Sequence, residues 1–322
     1  MKLLITGTAG FIGYSLALRL LEKNRNIIIF GLDNFNNYYS LKLKKKRINI
    51  LKKYKNFKMF KIDLHNEKKV KQFISKNKFD IVFHFAAQAG VRYTQTNPGS
   101  YIKSNIIGFY NLIESIKVYQ PKFLFYASSS SVYGETKKFP TKENFKTQPL
   151  NIYSLSKKNN EEMVRINLKN FKTKFICLRF FTVFGEWGRP DMFIFKLLDA
   201  ILKKKLFYLN NYGNHERDFT YIEDAIDMLE NLYKSRNKLN KHEVFNVCSN
   251  NPQNIIKIKN KIISLAGNCS IKKRELQKVD VGKTHGCNRR ILKFGKLKKL
   301  KNFNKNLENT IIWYLENKNL FK

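Results

Sequence analysis

Acidic residues are scarce in this chain. Its 322 residues carry 24 Asp and Glu against 62 Lys and Arg, a formal net charge of +38. A balance so one-sided suits a nucleic-acid or membrane-surface protein. The lysines, however, are scattered along the whole chain beside Asn and Ile and form no tail, so a compositional bias accounts for them. Their field would still steer a polyanionic small substrate toward the protein. Cysteine is equally sparse: Cys177, Cys248, Cys269 and Cys287 form no CxxC pair and no zinc or disulfide framework, and the five histidines do not gather near them. The expectation is reduced thiols, no metal and a cytoplasmic setting. Gly (15) and Pro (6) are few, and no stretch has a disordered composition. No apolar run reaches the roughly 18 residues of a membrane helix, and the N-terminal run is too short for a signal peptide. No internal repeat is visible.

What is present is a large apolar fraction, 43% hydrophobic and 14% aromatic, in a length that allows one large domain or two ordinary ones. "KLLITG" reads as a strand ending in a glycine turn, and "TAGFIGYSLALRLLEK" continues at helical spacing. Gly7, Gly10 and Gly13 therefore lie at a strand-to-helix junction, flanked by Phe11 and Ile12. Glycines there permit a tight turn and close backbone approach, and the helix N-terminus offers free N–H groups to a pyrophosphate. The next strand, "NIIIFGLD", ends at Asp33, twenty positions after Gly13. A dinucleotide fold places there the acid that grips the adenosine ribose, with Asn34 beside it. A carboxylate would repel a 2′-phosphate, so NAD is expected rather than NADP. The nearby "KLKKKR", on a helix starting near Ser40, is expected to be a solvated face.

Further strands read at "FKMFKIDL", "DIVFHFAA", "KFLFYASS" and "KFICLRFF", with helices near residues 99–118 and 154–170. Strands alternating with helices imply an α/β fold, a doubly wound parallel sheet with ligands at the carboxyl ends of its strands. Asp63, Leu64, Ala86, Ala87 and the run Ser128–Ser131 fall at such ends. "NIYSLSKK" then places Tyr153 and Lys157 four apart, on one face of a helix. A tyrosine with an ordinary pKa near ~10 becomes a base near neutrality only if about 4 kcal/mol favours its anion. A nearby ammonium in a shielded site supplies energy of that order.

In this order, GxxGxxG, Asp33, Asp63, the serine run and YxxxK resemble the extended short-chain dehydrogenase/reductase family over nearly the whole chain. The stretches "LDNFNNYYS", "HFAAQAGVRYT", "YASSSSVYG", "LRFFTVFGEWGRPDMFIF" and "RDFTYIEDA" narrow the resemblance to NAD-dependent epimerases/dehydratases of the UDP-glucuronate 4-epimerase subgroup. The resemblance implies a Rossmann-type NAD-binding domain at 1–184, whose sheet also receives a strand near 243–248, and a smaller, mainly UDP-sugar-binding domain at 185–322. It implies a homodimer built on the two long helices.

For the site, it implies Tyr153 as the base on the sugar 4-hydroxyl and Ser129 as the proton relay. Lys157 would lower the tyrosine pKa and hold the nicotinamide ribose. Ser128 and Ser130 would neighbour nicotinamide or sugar. Ser131 stands where related dehydratases and decarboxylases carry a carboxylate, which disfavours elimination and decarboxylation. Thr182 would line the sugar pocket, and Arg189 would hold a C6 carboxylate through two parallel hydrogen bonds. Arg217 would meet the diphosphate, Tyr208 and Asn210 the uridine, and Arg92, Asn105 and Asp280 the pocket, the Asn105 backbone or amide also supporting the active-site helix. In "VDVGKTHGCNRR", Cys287 stands where relatives carry Asp or Asn, a departure expected near the nucleotide rim. The implied activity is interconversion of UDP-glucuronate and UDP-galacturonate, serving surface polysaccharide. The competing readings are a 4-epimerase of another UDP-sugar and a basic Rossmann binder of nucleotide or nucleic acid.

Overall fold

The computed structural model describes residues 1–277, 280–295 and 300–321. In chain order the first half runs β1 (Lys2–Thr6), α1 (Phe11–Lys23), β2 (Ile28–Asp33), α2 (Leu41–Leu51), β3 (Phe57–Lys61), α3 (Glu67–Asn77), β4 (Ile81–His84), α4 (Pro98–Tyr101), a π-helical turn (Ile102–Ile107), α5 (Gly108–Ile116), β5 (Phe123–Ser129), α6 (Ile152–Asn167) and β6 (Lys174–Phe180). The second half continues with β7 (Thr182–Phe184), α7 (Phe193–Leu202), β8 (Phe207–Asn210), β9 (Glu216–Tyr221), α8 (Ile222–Lys234), β10 (His242–Val247), β11 (Pro252–Asn254), α9 (Ile255–Ala266), β12 (Ile271–Arg274), α10 (Arg289–Leu292) and α11 (Phe303–Glu316).

Seven strands form one parallel sheet in the order β10-β6-β5-β4-β1-β2-β3. The order reverses between β1 and β4, which opens a crevice at the carboxyl ends of those strands. Alternate residues of each strand enter opposite faces. Leu3, Ile5, Ile29, Phe83 and Phe125 join one apolar cluster; Leu4, Phe30, Val82, Leu124 and Tyr126 join the other. Burial on both faces explains why these strands read as continuous apolar runs. Two smaller sheets, β11-β9-β7 and β12-β8, lie beyond Phe180. Among the described residues no helix is long and apolar enough to cross a membrane.

Three local features position the cleft. Gly7 has φ +72°, and a Cβ there would lie 2.6 Å from the Ala86 nitrogen. Gly13 would place a Cβ 2.3 Å from the Gly7 carbonyl oxygen. The turn therefore closes directly onto the end of β4, as only glycine permits. Helix α6 begins with a capping box in which Asn151 and Ser154 exchange side-chain and backbone hydrogen bonds, fixing its first turn and hence Tyr153. The helix expected over 99–118 is interrupted by the π turn at 102–107, and Asn105 lies within it.

The lysine-rich face of α2 departs from expectation. Ser40 caps the helix, but Lys44 and Arg47 are buried, at 4% and 0% exposure. Lys44 Nζ donates to the Asn36 carbonyl and side-chain oxygens at 2.6 and 2.7 Å. Arg47 donates to the Ala9 carbonyl at 2.7 Å, to the Tyr39 hydroxyl at 2.9 Å and to the carbonyls of Trp187 and Gly188. The run is solvated only in part because its i, i+3 members face the glycine turn and the loops at Asn36 and Trp187–Gly188, whose carbonyls they satisfy.

Gly7→Ala should strain the turn against backbone that cannot yield. We expect a loss of about 2 kcal/mol or more of stability in urea unfolding. A midpoint equal to wild type would show that the Ala86 contact is not binding on the fold.

Candidate active site

The carboxyl ends of β1, β2, β4 and β5 open into one cleft. Its lining includes Gly7, Gly10, Phe11, Ile12, Gly13, Asp33, Asn34, Asp63, Leu64, Ala86 and Ala87 along one stretch, and Ser128, Ser129, Ser130, Ser131, Tyr153, Lys157, Thr182, Arg189, Arg217 and Asp280 along the rest. Asp33 is held by N–H donors from Ala9 at 3.1 Å and Phe35 at 2.9 Å. Burial raises its carboxyl pKa; the two N–H donors and the nearby Lys44 and Arg47 oppose the rise. Asp63 accepts from Asn34 Nδ2 at 2.8 Å, which joins the ends of β2 and β3.

The serine run and α6 are locked together residue by residue. Lys157 Nζ donates to the Ala127 carbonyl at 2.8 Å. Ser128 Oγ donates to Glu161 Oε1 at 2.5 Å. The Ser129 hydroxyl lies beside the Tyr153 phenol, where it favours the anion. Ser131 Oγ donates to Ser129 Oγ at 2.9 Å, and the Ser131 N–H does so at 3.2 Å. Three consecutive strand residues thus meet positions i, i+4 and i+8 of one helix. Residues at that spacing share a helix face. Ser128 is committed through its hydroxyl to Glu161, so only its backbone is left to face a ligand.

Glu161 was not singled out by the motifs. Its carboxylate takes Arg179 Nε at 2.9 Å and Nη2 at 2.7 Å, and both side chains are under 8% exposed. Arg179 lies opposite Ser128 in the β5–β6 register and also donates to the Tyr133 hydroxyl at 3.0 Å and the Glu143 carbonyl at 2.9 Å. The signal was available: Glu161 continues the Tyr153–Lys157 spacing by one more turn.

The electrostatics differ from the sequence expectation. Lys157 is buried, and desolvation pulls its pKa down to about 8. Burial raises the Tyr153 pKa; the Ser129 hydroxyl and the Arg189 cation lower it in part, and Asp191 raises it. Arg189 is thus a protein cation that bears on Tyr153, while the Lys157 ammonium donates to the Ala127 carbonyl.

Arg189 itself is already engaged. Its Nε donates to Asp191 Oδ1 at 2.9 Å and its Nη2 to Asp191 Oδ2 at 2.5 Å. The two parallel hydrogen bonds reserved for a sugar carboxylate are made within the chain. Arg217 lines the cleft but donates to the carbonyls of Glu216, Val281 and Gly282 at 2.9, 2.6 and 3.1 Å. Burial lowers its pKa to about 10.

Four residues expected at the substrate do not line the cleft. Arg92 pairs with Asp280 at 2.8 Å, and only Asp280 reaches the lining. Asn105 is buried; its Oδ1 accepts from the Gln88 N–H at 2.7 Å, and its Nδ2 donates to the Gln88 carbonyl at 3.0 Å and Ser156 Oγ at 2.9 Å. It ties the loop after β4 to α6. Tyr208 is 47% exposed, its ring under the Arg274 guanidinium, and Asn210 is buried and accepts from the same arginine. Cys287 is buried too, its N–H donating to the Thr141 carbonyl at 2.9 Å, away from the cleft lining. His215 lies near Arg217, Asp280 and Arg92, and burial lowers its pKa to about 4. His285 bonds Asn250. No group of three His, Cys, Asp or Glu among the described residues could hold a metal.

A glycine-lined turn, an acid at the end of β2 and a Ser–Tyr–Lys set define a dinucleotide-dependent enzyme class. Residues 3–248 match the NAD-dependent epimerase/dehydratase family, and the chain belongs to it. Protein CapI of Staphylococcus aureus is 38% identical over 88% of this chain and 90% of its own length. The probable UDP-glucuronate 4-epimerase of Rhizobium meliloti is 38% identical over 72% of this chain and 68% of its own. Among solved structures, UDP-glucuronic acid 4-epimerase from Bacillus cereus, in complex with UDP-glucuronic acid and NAD, superposes with a TM-score of 0.89. It is 28% identical and covers 98% of this chain and 99% of its own. The cofactor is NAD, and the cradle fits it: Gly7, Gly10 and Gly13 let the turn pack backbone against backbone at the start of α1, within the cleft lining, and Asp33 presents an acceptor, not a cation, at the end of β2.

Three variants test this arrangement. Lys157 binds its proton more weakly folded than unfolded, so the unfolded chain carries the extra proton between about pH 8 and the ordinary lysine pKa near ~10.4. Stability from this group rises with pH across that window and is penalised below it. Lys157→Met should therefore raise stability at pH 7 by roughly 2–3 kcal/mol in chemical denaturation and flatten the rise above pH 8; a destabilised variant would contradict the assignment. Glu161→Gln should cost about 3–5 kcal/mol by leaving Arg179 buried without a counter-charge, and Glu161→Gln with Arg179→Met should recover most of it.

Proposed function

We propose that the protein is an NAD-dependent 4-epimerase of UDP-glucuronate, giving UDP-galacturonate. The observation that carries the reading is Arg189 at the end of the cleft shared with Tyr153 and Ser129, close enough to Tyr153 for its charge to act on the phenol. The relatives named for this activity support it. Gly7, Gly10, Phe11, Ile12 and Gly13 would hold the cofactor pyrophosphate, Asp33 and Asn34 the adenosine ribose, and Asp63 and Leu64 the adenine end. Ala86, Ala87 and Lys157 would line the nicotinamide side. When bound, NAD supplies a reversible hydride acceptor, which lets C4 become a ketone and be reduced again on its other face.

The chain's own residues move the proton. Tyr153 takes it from the 4-hydroxyl and returns it; Ser129, beside Tyr153 and bonded to Ser131, passes it between sugar oxygen and phenol. Burial holds the Tyr153 proton tightly, so the anion gains support only from Ser129 and the Arg189 cation, along with whatever charge the ligands bring. No carboxylate stands at Ser130 or Ser131, so elimination lacks its extra acid and base. The remaining Nη1 of Arg189 faces the C6 carboxylate, Thr182 lies beside it, and Arg217 with Asp280 borders the diphosphate. We place the NAD-binding part at 1–184 with the strand near 243–248, and the mainly UDP-sugar part at 185–322.

A homodimer is part of the proposal. Ile102, Ile107 and Tyr110, around α4 and α5, are 42%, 42% and 49% exposed, and Leu155 and Ile166 on α6 are 45% and 69% exposed. Apolar side chains so placed on two adjacent helices suit pairing with a second copy. Four buried or half-buried thiols with no disulfide among them accord with a cytoplasmic setting.

The experiment is to incubate the protein separately with UDP-glucuronate, UDP-glucose and UDP-N-acetylglucosamine and resolve the products by NMR. Interconversion of the uronates is expected. Arg189→Ala should reduce uronate turnover at least about 100-fold through loss of a charge-assisted contact. Uronate turnover that survives the change intact would move the substrate to a neutral UDP-sugar.

A further inference from the structure

The sugar end of the cleft contains a carboxylate of its own. Asp191 lies two residues after Arg189 and accepts both parallel hydrogen bonds of the Arg189 Nε–Nη2 edge, at 2.9 and 2.5 Å. The pair is partly shielded, with side-chain exposures of 22% and 19%. A third segment converges on it. The Tyr38 hydroxyl donates to Asp191 Oδ2 at 3.2 Å. Gly90 leaves room for this contact: a Cβ there would lie 2.3 Å from the Tyr38 hydroxyl and 3.3 Å from Asp191 Oδ2. Asp191 is thus a fixed part of the site, anchored from two directions.

Its presence changes what Arg189 can offer. An uncompensated guanidinium in a shielded cleft strongly favours a carboxylate and penalises a neutral group put against it. A guanidinium already neutralised by a bidentate partner offers one remaining edge and a small net field. Nη1 can still donate a charge-assisted hydrogen bond to a uronate oxygen or an ordinary one to a sugar hydroxyl. The charge difference between the two ligands is then felt only weakly.

We propose that Asp191 sets the charge tolerance of the sugar site. By neutralising Arg189 it admits a neutral hexose alongside the uronate and limits discrimination between them. This rests on the reading of Arg189 as the uronate-facing residue. Asp191 acts through Arg189 and touches no reacting atom, so it is a positioning residue that governs specificity.

Asp191→Asn separates charge from shape. An asparagine oxygen still accepts from Arg189, and its amide can donate to the Tyr38 hydroxyl, so the arginine stays oriented while the negative charge goes. Binding of UDP, UDP-glucuronate and UDP-glucose to the NAD-loaded enzyme is measured by calorimetry for wild type, Asp191→Asn and Asp191→Ala. UDP affinity reports an intact nucleotide site and is expected to hold. The ratio of UDP-glucuronate to UDP-glucose affinity is expected to rise about tenfold in Asp191→Asn, and in the same direction in Asp191→Ala. A loss of fold alone would weaken both sugars together and leave the ratio unmoved. A ratio unchanged in both variants, or one that shifts toward UDP-glucose, overturns the proposal. Wild-type enzyme that binds UDP-glucuronate no better than UDP overturns the substrate reading, and this inference with it.

Discussion

The site depends on one seam, the contact between the last three residues of β5 and one face of α6. Ala127, Ser128 and Ser129 each meet a different residue of that helix: Lys157, Glu161 and Tyr153. A strand end presents its successive side chains to opposite faces, and a helix repeats every three to four residues. Matching the two requires both backbone and side-chain bonds. Here the odd partner, Ala127, contributes its carbonyl and the two serines contribute hydroxyls. The Glu161–Arg179 pair locks the middle contact. The placement of Ser129 beside Tyr153, the pair proposed to carry the proton, follows from bonds made by their neighbours.

The seam also explains the electrostatics. A half-buried tyrosine lining the cleft and a buried lysine are each driven toward neutrality by desolvation. Such a site resists charge until ligands arrive, and the protein provides few counterweights. One is the Ser129 hydroxyl. Another is Arg189, whose effect is reduced by its own Asp191.

Much of this was legible in the sequence. The parallel sheet followed from apolar runs alternating with helices, because strands buried on both faces leave no polar positions to interrupt them. The glycine turn, Asp33 and Asp63 were readable because each sits at a strand end, and the Tyr153–Lys157 pair because its spacing of four joined those motifs in a family resemblance. What was hidden is what depends on distant segments meeting. Nothing local says that Lys44 and Arg47 enter the interior, because their burial is set by carbonyls at Ala9, Trp187 and Gly188. The Arg189–Asp191 pair is local, two residues apart, but nothing local says that Tyr38 braces it. The π turn at 102–107 escaped notice because its side chains keep helical periodicity on either side. Tyr208 and Asn210 were assigned to the uridine by resemblance, and the register of β8 with β12 sets both beside Arg274.

Arg47 carries a consequence beyond its own burial. One guanidinium bonds the carbonyl of Ala9, in the turn that would receive the cofactor pyrophosphate, and the carbonyls of Trp187 and Gly188, which lead into Arg189. A lysine in its place has a single nitrogen and could not reach both. In a chain whose basic residues are mostly lysines, this arginine is the mechanical link between the two ends of the cleft. The loop that leads into Arg189 and the glycine turn are fastened to the same rigid plane, so neither can shift without pulling on the other.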